Sequence, residues 1–360
     1  MNTHETKDLT RDEERKLPIS NGVRLLIVTQ AVDRDDPVLG FFHRWIEELA
    51  ARCESVLVIC LYEGQHQLPQ NVRVLSMGKD VGASRKTKVW RFYRYIFAYR
   101  HEYDAVFVHM NQEYVLLAGL FWRQWGKRVY LWRNHWAGNF LTRIAVALSS
   151  GVFYTSKSSF TAQFKKTKIM PVGVDIVAPD MPRTPRSILF LGRIAPSKHP
   201  EVLLDALSQL QKDGIDTIAS VYGSPLQKDE AFAGALRTRA ESMATVTFYD
   251  SVPHHETATI YAAHEIFVNL SASGMYDKTL FEAAAAGCIV VASSRDFAEM
   301  AGEQFVFRQN NPQDLARVLK DILKMTEKKK ATARKHFQEI AKMHALPALA
   351  DALVLEMSER

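Results

Sequence analysis

The sequence predicts an α/β fold made of two doubly wound, Rossmann-like domains that face each other across a cleft. Three observations carry this expectation. Short, continuous apolar runs recur along the chain with helical patterns between them, and unbroken runs suit strands buried on both faces of a parallel sheet. The runs form two groups of about six, with a proline-rich break between them. The length of 360 residues also exceeds what one ordinary core organises.

In the first group the strand candidates are Arg24–Val28, Ser55–Leu61, Val72–Met77, Ala105–His109, Arg128–Trp132 and Gly151–Thr155. The break spans residues 178–186, where Pro179, Pro182 and Pro185 read as a linker. In the second group the candidates are Ser187–Leu191, Thr217–Tyr222, Val246–Phe248, Ile266–Leu270, Cys288–Ala292 and Gln304–Phe307. Strand, helix and strand in repetition give the doubly wound layout. From Pro312 to Met357 the pattern is helical, and Lys328–Lys330 reads as a solvated face. Residues 1–20 are polar, contain no apolar core for a signal peptide, and read as a disordered tail. The expected domains are therefore 21–177 and 178–335, with 336–360 a helix that packs back on the first domain.

Hydrophobic residues at 47% and charged residues at 24% fit a globular chain rather than a disordered one. The three cysteines, Cys53, Cys60 and Cys288, have no C-x-x-C spacing, which argues against a zinc site or disulfide framework and for a reducing cytoplasm. No apolar run approaches the roughly 20 residues that span a bilayer. The net charge of +6 invites an anionic partner. The charge concentrates in residues 84–100, where Arg85, Lys86, Lys88, Arg91, Arg94 and Arg100 interleave with Trp90, Phe92, Tyr93, Tyr95, Phe97 and Tyr99 and no acid. Such a helix suits an anionic membrane interface. It equally reads as a core helix whose long cations reach out of an apolar face. No nucleic-acid-binding motif accompanies it, so nucleic acid is not expected as a partner.

Ligands of doubly wound domains bind outside the carboxyl ends of the strands. After Ser187–Leu191 come Gly192, Arg193 and Lys198: a tight turn and two cations suited to a diphosphate. The alternative is a pair of exposed surface cations. After Thr217–Tyr222 come Gly223 and Ser224, a turn near a ligand or an ordinary strand end. After Ile266–Leu270, the loop Ser271–Asp277 leads into a helix from Lys278 with Glu282 one turn inside it. The positive end of that helix offers a phosphate site. Glu282 reads either as an acceptor for paired hydroxyls, such as those of a ribose, or as a first-turn acid favoured by the helix dipole.

Together these segments resemble the retaining glycosyltransferases of family 4, with the GT-B architecture of two facing Rossmann-like domains. The resemblance runs from about Asn21 to near the end of the chain. It is carried by Pro171–Asp175, Leu191–Arg193 with Lys198, Thr247–Val252 with Glu256 and Tyr261, Leu280–Gly287 and Val290–Ser293. It implies a nucleoside diphosphate sugar as donor and co-substrate, no metal and no other cofactor. Arg193 and Lys198 would neutralise the diphosphate, Glu282 would hold the ribose, and Gly274, Met275, Tyr276, Asp277, Lys278 and Thr279 would line the sugar and phosphates. The sequence departs from the family pattern at Gly274, eight positions before Glu282, where an acid is usual. It departs again at His199, where glycine is common.

The resemblance places the acceptor on the first domain, where His109, Asn111 and His135 sit at strand ends. Each histidine reads also as a structural one. Lipid-linked acceptors are frequent in the family, which favours the membrane reading of residues 84–100 and a cytoplasmic enzyme held peripherally on the inner face of the membrane. The expected activity is transfer of a sugar to a glycan or lipid-linked acceptor in polysaccharide or glycolipid biosynthesis. The alternatives are a non-catalytic sugar-nucleotide-binding protein of the same fold, or an epimerase or phosphorylase.

Overall fold

The computed structural model describes residues 22–36, 38–274 and 276–358; the tail expected at residues 1–20 lies outside them. The apolar runs assemble into two wholly parallel sheets. The first contains β1 (Arg24–Val32), β2 (Ser55–Glu63), β3 (Val72–Ser76), β4 (Ala105–His109), β5 (Arg128–Trp132), β6 (Gly151–Tyr154) and β7 (Thr167–Ile169). Their spatial order is β3-β2-β1-β4-β5-β6-β7. Its helices are α1 (Phe41–Ala50), α2 (Arg85–Ala98), α3 (Gln112–Gln124) and α4 (Phe140–Leu148).

The second sheet contains β8 (Thr184–Leu191), β9 (Ile218–Tyr222), β10 (Val246–Tyr249), β11 (His264–Asn269) and β12 (Ile289–Ala292) in the order β10-β9-β8-β11-β12. Around it lie α5 (Pro200–Lys212), α6 (Glu230–Glu241), α7 (Thr257–Ala263), α8 (Lys278–Ala285), α9 (Arg295–Ala301), α10 (Pro312–Leu323) and α11 (Glu327–Met343). A final helix, α12 (Leu346–Ser358), follows.

Both faces of β1 are apolar, and its alternating side chains feed two separate cores. Leu25 and Ile27 pack with Phe42 and Trp45 of α1 and with Leu349 and Leu353 of α12. Leu26 and Val28 pack with Phe92 and Ile96 of α2, Trp122 of α3 and Val146 of α4. The chain thus crosses back, and α12 completes the first domain after the second has been built. Each fully buried leucine there is worth about 1.5–3 kcal/mol. Arg52 clamps the return, bonding Asp351 at 2.6 Å and Glu48 at 2.7 Å.

Three expectations are corrected. Gln304–Phe307 is not a strand: it forms a short 3-10 turn and a single bridge between Ala292 and Val306. Phe305 and Phe307 are apolar because they are buried in the core, not because they belong to a ladder. The short strand Thr167–Ile169 has no apolar run, being an edge strand with two exposed residues. Lys330 is not solvated: its ammonium lies 2.9 Å from Glu265, with both side chains under a tenth exposed. The proline-rich break also ends earlier than expected, since Thr184–Arg186 open β8. Pro185 lies where the β8–β11 register shifts, an irregularity that tolerates the missing donor.

Candidate functional site

In each sheet the winding reverses between the first and fourth strands, β1/β4 and β8/β11. A crevice opens at such a switch point. In the second domain it is flanked by the turn after β8, carrying Gly192–Lys198, and the loop after β11, carrying Ser271–Asp277.

Lys198 ends a 3-10 turn, Pro196–Lys198. Its ammonium lies 2.6 Å from Asp277 and donates to Ser271 at 3.2 Å. Asp277 stands at the N-cap position of α8 without a side-chain capping bond, and its carboxylate also accepts from Asn269 at 3.1 Å and from Ser271. Burial pushes the Asp277 carboxyl up, but the Lys198 charge and the Ser271 and Asn269 hydrogen bonds outweigh it and hold it below the usual carboxylate range. Asp277 is therefore an ionised anchor for Lys198, with its bonding directed at the protein. Lys198 has three donors and uses two, leaving one for an anion in the crevice. The next residue, His199, adopts a left-handed backbone with φ 50°, which explains why glycine suits this position.

Arg193 is exposed and makes no hydrogen bond or ion pair among the described residues. Gly223 is required by close approach: a Cβ there would stand 1.9 Å from the Gly192 carbonyl oxygen. Ser224 is engaged by the neighbouring loop, exchanging hydrogen bonds with the Ser251 hydroxyl at 3.1 Å and amide at 3.0 Å.

Glu282 lies one turn inside α8, and each of its carboxylate oxygens takes one hydrogen bond from the protein. Oε1 is 3.0 Å from His254 Nε2 and Oε2 accepts from the Tyr261 hydroxyl at 3.3 Å. The hydrogen bond to Glu282 is the chief cause that raises the His254 pKa, against burial. Thr279 is half-buried, its hydroxyl 3.4 Å from Asn269. Tyr276 points away toward α9, donating to the Asp296 carbonyl at 2.9 Å. Met275 lies outside the described residues.

Lys278 does not line the crevice. Its ammonium is buried at the junction of the domains, donating to the carbonyls of Val172 and Gly173. It lies 4.4 Å from the Phe41 ring centre and 4.5 Å from that of Trp45. Burial lowers its pKa to about 7, partly opposed by Glu282 and Asp175.

Gly274 explains its own departure from the family pattern. Its φ is +94°, and a Cβ would stand 2.6 Å from Trp136 Cβ and 2.9 Å from the Ser158 carbonyl oxygen. Its carbonyl accepts from Ser159 at 3.0 Å, and its amide donates to Asp296 at 3.1 Å. Asp296 is also held by Ser156 and Ser158 of the first domain. The space an acidic side chain would need is filled by the first domain.

Of the first-domain candidates, His109 does not face the crevice. It is 2% exposed, stacked on Phe42 with ring centres 4.0 Å apart, and burial is the main cause holding its pKa near 3. It is a neutral structural histidine. Asn111 is tied to Gln30 at 2.9 Å. His135 is half-buried and lines an open hollow of about 310 Å³ with Arg133, Ala137, Gly138 and Asn139. Its Nδ1 lies 2.9 Å from the Ala137 amide nitrogen.

The arrangement can hold an anion between Arg193, Lys198 and the positive end of α8, with a carboxylate acceptor a turn away. Among the described residues no group of three or more His, Cys, Asp or Glu is placed to hold a metal. Motif reading missed Ser271, Asn269, His254 and Asp296. Ser271 and Asn269 sit at the end of a recognisable strand, which is the one signal that marks them.

Residues 185–325 match the family model of glycosyl transferases group 1. The GtfA subunit of the UDP-N-acetylglucosamine–peptide N-acetylglucosaminyltransferase of Streptococcus gordonii is 28% identical over 120 residues, 33% of this chain and 23% of that protein. The chain thus spans about a quarter of that relative. Among solved structures, Anabaena HepE in complex with UDP superposes with a TM-score of 0.72 at 18% identity, covering 93% of this chain and 99% of that one. The sucrose-phosphate synthase of Thermosynechococcus elongatus superposes at 0.73 with 15% identity, covering 92% and 98%. The chain therefore has the GT-B fold, and its second domain carries the match to glycosyl transferases group 1.

Proposed function

We propose that the protein is a retaining, metal-independent glycosyltransferase that moves a sugar from a nucleoside diphosphate sugar to a glycan or lipid-linked acceptor. The observation that carries this reading is the meeting of Arg193, Lys198 and the start of α8 at the β8/β11 switch point, with Glu282 one turn further on. HepE, whose fold is similar, is described with UDP-glucose, which supports a sugar nucleotide as the donor.

In the reaction, the bond between the anomeric carbon and the diphosphate oxygen breaks, and its electron pair leaves with the diphosphate. Arg193, Lys198 and the α8 dipole oppose the charge that develops there. Lys198 needs no reorganisation, because Asp277 and Ser271 already fix its ammonium. The acceptor hydroxyl attacks from the face the diphosphate leaves, and its proton passes to the departing phosphate oxygen. No protein nucleophile is required. His135, beside the hollow next to Trp136 and Gly274, contacts the acceptor or the transferred sugar.

Exposed apolar residues support peripheral membrane contact through the first domain. Trp90 and Phe97 of α2, Leu120 and Phe121 of α3, and Phe140 of α4 are all solvent-exposed. Within α2, Phe92 and Ile96 are buried in the core, which leaves the rest of the helix surface for such a contact. No helix among the described residues is long and apolar enough to cross a membrane. The reading places the enzyme in the cytoplasm, at the inner face.

Glu282→Ala and Lys198→Ala are expected to abolish transfer while the protein stays folded; full activity in both would refute the assignment. The blocked position at Gly274 favours one second reading, a sugar-nucleotide-binding protein without transfer. Nucleotide binding with no transfer across a broad acceptor panel would select it.

A further inference from the structure

The strongest feature outside the expected donor contacts is the hold on Glu282. Its carboxylate is only 13% exposed and is gripped from two separate elements. Tyr261, fully buried in α7, bonds Oε2. His254, on the 3-10 turn after β10, bonds Oε1 from the solvent side and keeps 30% of its side chain exposed. Neither partner lies on α8, so the rotamer of Glu282 is set by two other chain segments. The charged groups facing this pair are Lys278, one turn earlier on α8, and Asp175 from the crossover.

A carboxylate that must accept from two adjacent hydroxyls is effective only if its plane is fixed beforehand. Each carboxylate oxygen has two acceptor sites. One bond per oxygen to the protein leaves one per oxygen free, which matches a vicinal diol. We propose that His254 is a positioning residue for the nucleoside end of the donor, holding Glu282 oriented for the two ribose hydroxyls. The inference rests on the sugar-nucleotide reading above.

The imidazole N–H at Nε2 is the group that matters, so a glutamine amide reaching the same oxygen substitutes for it and an alanine does not. The test is calorimetric titration of whichever of UDP, GDP or ADP the wild-type protein binds most tightly, and of the 2′,3′-dideoxy form of that nucleotide. The proteins are the full chain, His254→Ala and His254→Gln, each first checked for an unchanged unfolding transition. The expected result is that His254→Ala weakens the natural nucleotide about tenfold, the loss of one charge-assisted hydrogen bond's influence. The dideoxy form should be unaffected, and His254→Gln should recover most of the loss. Equal weakening of both ligands, or no change in either, overturns the inference while leaving the donor reading intact. If wild type binds none of the three, both readings fall together.

Discussion

The Lys198 ammonium lies 2.6 Å from the Asp277 carboxylate and so joins the turn after β8 to the start of α8 across the switch point of the second sheet. The pair aligns a cation with a helix N-terminus, both aimed at the same crevice. Asp277 directs its carboxylate to Lys198, Ser271 and Asn269, while the acid beside Gly274 is Asp296, which accepts from its amide.

The Asp277 carboxyl is depressed in the folded protein. Between its folded and unfolded values the unfolded chain binds more protons, so the stabilisation is present above about pH 3.9 and is lost as pH falls through the folded value. Urea unfolding between pH 5 and pH 3 should show wild type losing more stability than Asp277→Asn. Lys198→Ala, which leaves Asp277 without its cation, should cost about 2 kcal/mol at pH 7. This is below the roughly 3–5 kcal/mol of fully buried pairs because both side chains keep some solvent access.

Lys278 should show a pH dependence of the same sign in a higher pH window. Its folded pKa, lowered to about 7, lies below the unfolded value of about 10.4. Over that window the unfolded chain binds more protons, and stability rises with pH. Lys278→Met keeps the stem against Phe41 and Trp45, and denaturation curves from pH 7 to pH 10 should lose this rise. An unchanged slope in the variant would place the titrating group elsewhere.

Placing an acid at position 274 should harm the protein. The positive φ and the 2.6 Å approach to Trp136 predict a cost of about 1–3 kcal/mol for Gly274→Ala. Gly274→Glu should cost more and lower transfer rather than raise it. Thermal unfolding and turnover of the two variants measure this together; higher activity in Gly274→Glu would refute the steric reading.

For membrane contact, the full chain should sediment with vesicles containing phosphatidylserine and not with neutral phosphatidylcholine vesicles. Neutralising Lys88, Arg91 and Arg94 together should reduce binding about tenfold or more, since each cation near an anionic surface contributes about 1 kcal/mol. Undiminished sedimentation of the triple variant would remove α2 as the contact.

The strands were legible because their continuous Val, Ile and Leu runs reflect burial on both faces, and the order of turns and helices placed the switch-point loops. Side-chain direction was not legible. Lys278 and Asp277 are adjacent in sequence, yet one points into the domain junction and the other to Lys198. The direction of Lys278 depends on the first domain, whose Gly173 carbonyl and Trp45 ring have no signature near residue 278. His109 looked like a crevice residue because it ends a strand, but α1 covers it with Phe42. Lys330 looked solvated because it lies in a run of three lysines, yet its partner Glu265 is 65 positions away.

The central claim, that the crevice between β8 and β11 holds a nucleoside diphosphate, is tested most directly by calorimetric titration of the full chain with UDP, GDP and ADP in the absence of divalent metal. One of the three should bind at a single site, and Glu282→Ala and Lys198→Ala should each weaken it at least tenfold. Failure of all three to bind wild type, or binding undisturbed by both substitutions, would contradict the account.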